Sequence, residues 1–122
     1  MARILCVEDD DRVREPFVRF LRLKGHEVVE AKNGQEAVAL ASQARFALVL
    51  LDVKMPKLDG VAALRQILDA SPITKAIVMT GFTLSDELRR TITEAGAAEC
   101  LSKPVTFSRL EELTQRLLAE TG

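Results

Sequence analysis

The sequence predicts an α/β domain of (βα)5 form, an open, doubly wound parallel sheet of five strands with helices on both faces. Three observations carry this reading. Short apolar runs alternate five times with longer stretches of helical periodicity. The two longest runs, 47–51 and 76–79, lack polar alternation, which is what strands covered by helices on both sides require. Finally, right-handed crossovers between parallel strands force the intervening helices onto the sheet.

Taken in order, the strands are expected at 4–7, 28–29, 47–51, 76–79 and 98–101. The first helix follows from Val13, Phe17, Phe20 and Leu21 on one face, and the second from Ala37, Leu40, Ala41 and Ala44. Further helices are expected at about 60–70, 85–95 and 107–119, the last with Leu110, Leu113, Leu117 and Leu118 as its apolar stripe. Gly25, Gly96 and the Ala70-Ser71-Pro72 turn mark helix ends, while Asn33-Gly34 and Ser85 act as turn or cap residues at helix starts.

Composition bounds the function. A chain of 122 residues suits one domain over 1–122, and 48% hydrophobic with 29% charged residues is globular usage. Seventeen Lys and Arg against 18 Asp and Glu leave a net charge of -1, without the basic footprint of a nucleic-acid-binding domain. No apolar run approaches the about 20 residues that span a bilayer, so a cytoplasmic protein without a membrane partner is expected. Cys6 and Cys100 lack metal-site spacing and His26 is the only histidine, so both thiols read as small buried hydrophobes.

In open parallel sheets ligands bind beyond the carboxyl ends of the strands, near the point where strand order reverses. The residues that follow each apolar run there are Glu8, Asp9, Asp10 and Asp11, then Asp52, Thr80 and Lys103. Each alone is ordinary turn or cap chemistry. Acid, hydroxyl and ammonium converging from separate loops on one crevice is not. Glu8, Asp9 and Asp52 ionised together repel, so either one carries a proton or a cation shares the site. Oxygen ligands without thiolate or imidazole select a hard ion, and an incomplete cage suits Mg2+. With a nearby Lys such an ion draws in a phosphoryl group, which makes Asp52 the candidate nucleophile for an aspartyl-phosphate.

Glu8-Asp9, the segment Asp52-Val53-Lys54-Met55-Pro56-Lys57-Leu58-Asp59-Gly60, Met79-Thr80-Gly81 and Lys103-Pro104 resemble the receiver domains of two-component response regulators. Asn33-Gly34-Gln35-Glu36-Ala37 is similar to that family's second helix start. The resemblance covers nearly the whole chain. It implies a flavodoxin-like strand order of 2-1-3-4-5 and Mg2+ held by Asp9, Asp52 and the Lys54 backbone carbonyl, with Glu8 acting through water. It further implies that Asp52 accepts phosphate from a sensor histidine kinase or phosphotransfer protein. Thr80 and Lys103 would bond the phosphoryl oxygens, and a cis Lys103-Pro104 bond would aim the lysine. The surface from about Ser85 to Leu118 would then meet a downstream effector, with the chain a monomer or a phosphorylation-dependent dimer. Such a domain is not an enzyme beyond self-phosphorylation from small donors and autodephosphorylation.

One departure stands out. The family places Tyr or Phe three residues before the lysine, and this chain has Cys100. Phe82 is the candidate to supply bulk instead, and Lys54 and Phe82 are expected to flank the path of the hydrolysing water. The alternative is a pseudo-receiver, a binding module that switches without phosphorylation. A haloacid-dehalogenase-type phosphatase would need a second Asp where Lys54 stands, and the acidic first loop would repel a flavin phosphate.

Overall fold

A computed structural model describes residues 2–53, 58–81 and 84–120. Its elements run β1 (Arg3–Val7), α1 (Asp11–Leu23), β2 (Glu27–Ala31), α2 (Gly34–Gln43), β3 (Leu48–Val53), α3 (Leu58–Ala70), β4 (Lys75–Thr80), α4 (Asp86–Glu94), β5 (Glu99–Ser102) and α5 (Phe107–Glu120). All pairings are parallel and the order across the sheet is β2-β1-β3-β4-β5, as expected.

Alternation along each strand splits the core in two. Ile4, Cys6, Leu48, Leu50, Ile77 and Met79 face α1 and α5, meeting Val18, Leu21, Leu110, Leu113 and Leu117. Leu5, Val7, Val49, Leu51, Val53, Ala76 and Val78 face the opposite layer, where Ala37, Ala41, Leu64, Ile67 and Ile92 close over them. Strands apolar on both faces therefore sit centrally. β2, at the sheet edge, carries the exposed Glu27 and Glu30, which is why its apolar signal was limited to two residues.

The expected caps are in place. The Asp10 side chain accepts from Arg12 N, that of Asn33 from Glu36 N at 2.8 Å, and that of Ser85 from Leu88 N at 3.0 Å. Gly25 and Gly96 take positive φ after α1 and α4. The buried stripe of α1 differs from the expected face: Arg14, Val18 and Leu21 are buried, Phe17 and Phe20 are half-buried, and Val13 lies at the margin. The two phenylalanines pack at the edge of that core and also against Phe107 at the start of α5, one edge-on at 6.0 Å and one stacked at 4.7 Å between centroids. Among the described residues no helix is long and apolar enough to cross a membrane.

Candidate functional site

Strand order reverses between β1 and β3, whose connections leave in opposite directions, and the crevice above that pair is where the acidic residues gather. Val7 pairs with Leu51, so Glu8 and Asp52 are the next residues along two adjacent strands. Glu8 is buried, 4% exposed, and its carboxylate accepts from Asp9 N at 2.8 Å. Asp9 is exposed at the mouth, and Asp10 is used by the helix start.

Asp52 stands one residue before the end of β3, on the face that Leu48 and Leu50 share, and its side chain is fully buried. Lys103 Nζ donates to Asp52 Oδ2. Oδ1 has no hydrogen-bond partner among the described residues. A buried carboxylate oxygen left so is costly unless something else meets it.

Thr80 ends β4, is wholly buried, and lies in register with Val53 on one side and Ser102 on the other. Its carbonyl accepts from Lys103 N at 2.7 Å, which ties the segment carrying the lysine to the end of β4. The Lys103-Pro104 peptide bond is cis. Asp52, Thr80 and Lys103 are thus brought to one end of the sheet.

Glu8, Asp9 and Asp52 open onto a cleft of about 670 Å³ that runs between α2 and α3 and is rimmed by Asn33, Gln35 and Gln66. Among the described residues no three His, Cys, Asp or Glu side chains are gathered tightly enough to hold a metal ion. Lys54, the remaining member of the implied ligand set, and Phe82 lie outside the described residues. The donors that are present fit a hard cation retaining several waters, because they are oxygens only and the buried Asp52 Oδ1 has no partner among the described residues.

The model of the response regulator receiver domain matches residues 4–115. The chain belongs to that family. Among relatives of this receiver, the transcriptional regulatory protein ZraR of Salmonella typhimurium is 37% identical over 118 residues, or 97% of this chain and 26% of its own length. PdtaR of Mycobacterium tuberculosis is 40% identical over 109 residues, covering 88% of this chain and 52% of its own. The receiver therefore spans between a quarter and about half of these relatives. Among solved structures, a CheY-like receiver domain protein from Methanospirillum hungatei superimposes with a TM-score of 0.91 at 31% identity, covering 99% of this chain and 96% of that one. The receiver domain of the Pseudomonas aeruginosa sensor histidine kinase PA1611, solved with magnesium coordinated in its active site cleft, gives 0.84 at 29% identity and covers 97% and 98%.

The small buried thiol expected at position 100 is found there, whereas the burial of Arg14 escapes sequence reasoning. Cys100, at the position the family gives to an aromatic, is 7% exposed and packed in the core beneath α3 and α4. Burial raises its thiol pKa. Behind the acidic turn, Arg14 is buried with its guanidinium on three partners: the Glu8 carbonyl at 2.7 Å, Glu30 Oε1 at 2.8 Å and Asp11 Oδ1 at 2.5 Å. The available signal was spacing, since positions 14, 18 and 21 share one helical face.

Proposed function

We propose that this receiver accepts a phosphoryl group on Asp52 from the phosphohistidine of a sensor kinase or phosphotransfer protein. The observation that carries the reading is the state of Asp52, whose Oδ2 is held by Lys103 while the buried Oδ1, beside an acidic cleft, has no partner among the described residues. Oδ1 attacks phosphorus in line with the donor nitrogen. The P–N bond breaks, its electron pair stays on the imidazole, and the phosphoryl group becomes an acyl phosphate on Asp52.

Such transfer needs positioning and charge stabilisation more than covalent help from the protein. Asp9 and Asp52, with Glu8 through water and the Lys54 carbonyl, would hold Mg2+, which when bound offsets the negative charge gathering on the phosphoryl oxygens. Lys103 moves its hydrogen bond from Asp52 to a phosphoryl oxygen. The Thr80 hydroxyl donates to another.

The product carries about two negative charges where one stood. Its pull on Thr80 and Lys103 is transmitted to the surface of α4, β5 and α5, which presents itself to a downstream effector. The balanced net charge favours a protein partner over direct contact with nucleic acid. With a buried thiol at Cys100, the switch runs without a rotating aromatic ring at that position.

Intact mass after incubation with a small phosphodonor and Mg2+ tests the reading, run beside Asp52→Asn. A Mg2+-dependent phosphoryl adduct that the variant lacks is the expected result. No adduct with any donor would leave a binding module that switches by association alone.

A further inference from the structure

The acidic turn that follows β1 has a cation behind it. Glu8 N donates to the Ala31 carbonyl at 3.1 Å, the Glu8 carboxylate accepts from Asp9 N, and the Glu8 carbonyl accepts from Arg14 Nη1 in a buried bond. Every backbone group that orients Glu8 is thus held, and Arg14 supplies the hold on the α1 side. The same guanidinium reaches Asp11 in the first turn of α1 and Glu30 on β2, so one planar group spans a strand end, a helix start and an edge strand. Arg22 adds a second, longer pairing to Glu30 at 3.8 Å and donates to the Val28 carbonyl.

The burial of Arg14 is unusual for its type, since a charged side chain 7% exposed must be paired or be very costly. A guanidinium suits the task because its fork is rigid and offers five donors, whereas an ammonium is a point charge on a flexible stem. Two effects of Arg14 on a cation at Asp9 and Asp52 oppose each other. Its charge repels the cation, and its bonds fix the turn from which Glu8 and Asp9 project.

The geometry points to Arg14 as a positioning residue for the Glu8-Asp9 turn, with fixed geometry outweighing charge repulsion. The inference rests on the phospho-acceptor reading only in what the turn is positioned for. Groups that orient metal ligands from behind are worth roughly 10- to 100-fold in affinity when removed.

The test measures Mg2+ affinity by calorimetry, and hydrogen exchange at the Glu8 and Asp9 amides, in the wild type, Arg14→Gln and Arg14→Lys. Arg14→Gln is expected to weaken Mg2+ binding by on the order of 10-fold and to speed exchange at both amides while the β3 and β4 amides stay protected. Arg14→Lys keeps the charge and loses the fork, and is expected to follow Arg14→Gln. Mg2+ binding equal to or tighter than wild type in Arg14→Gln would overturn the inference, as would full recovery in Arg14→Lys.

Should Arg14→Gln fail to fold, Glu30→Gln serves, since Glu30 is 38% exposed and its replacement strands no charge. Faster exchange at Glu8 and Asp9 is then expected, and unchanged exchange overturns the inference. Failure of the functional reading shows separately, as a wild type that binds no Mg2+, and the amide exchange still decides the role of Arg14.

Discussion

At the scale of single residues, the groups that define the site were legible because each is a polar residue placed where an apolar run stops. Arg14 was not. A charged residue on an amphipathic helix reads as solvated unless its partners are known, and these are a carbonyl six residues back and a carboxylate on another strand. His26 offers a cleaner residue-level test, being the only histidine in the chain. Its Nδ1 accepts from Ala2 N at 3.3 Å, and burial lowers its pKa below the ordinary 6.5. The unfolded imidazole takes up a proton in a range where the folded one resists it, so stability is complete above about pH 6.5 and is lost as pH falls through the lower folded value. Urea unfolding followed by circular dichroism at pH 7 and pH 5.5 should show this loss in the wild type. In His26→Gln the part due to this group disappears, and an unchanged pH dependence would count against the assignment.

At the scale of elements, the helices were placed to within a few residues because caps and glycines punctuate them, whereas close approaches between helices leave no mark in a single sequence. Gly34 is such a case. A Cβ there would lie 2.9 Å from the Cβ of Ala63, so α2 and α3 meet at a contact only glycine permits. Gly34→Ala is expected to cost about 1–3 kcal/mol, and Ala63→Gly in the same chain should recover part of it. Strictly additive losses in that double-mutant cycle would refute the contact. In α5 the sign reverses. Thr114 is 2% exposed and its hydroxyl has no partner among the described residues, so Thr114→Val, nearly the same shape, should raise the unfolding free energy by about 1 kcal/mol. Denaturant titration that finds Thr114→Val destabilised would show that the hydroxyl is satisfied.

For the whole molecule, the sheet separates two cores that share every central strand, and this division follows from period-two alternation that apolar runs conceal in the sequence. Truncation on one face should therefore be felt on both. Leu113→Ala, in the core under α1 and α5, is expected to cost about 2–5 kcal/mol and to leave a single unfolding transition; separate transitions from far-ultraviolet and site-specific probes would contradict it. Each core also encloses one thiol: Cys6 lies under α1 and α5, and Cys100 on the side of α3 and α4. Burial pushes the Cys6 thiol up to about 12, so it stays protonated and closed to alkylating reagents in the folded chain. Labelling of either sulfur then waits on the opening of its own layer. The pair forms a built-in two-channel clock, read by mass spectrometry without any added probe, that times how often each side of the sheet lifts away.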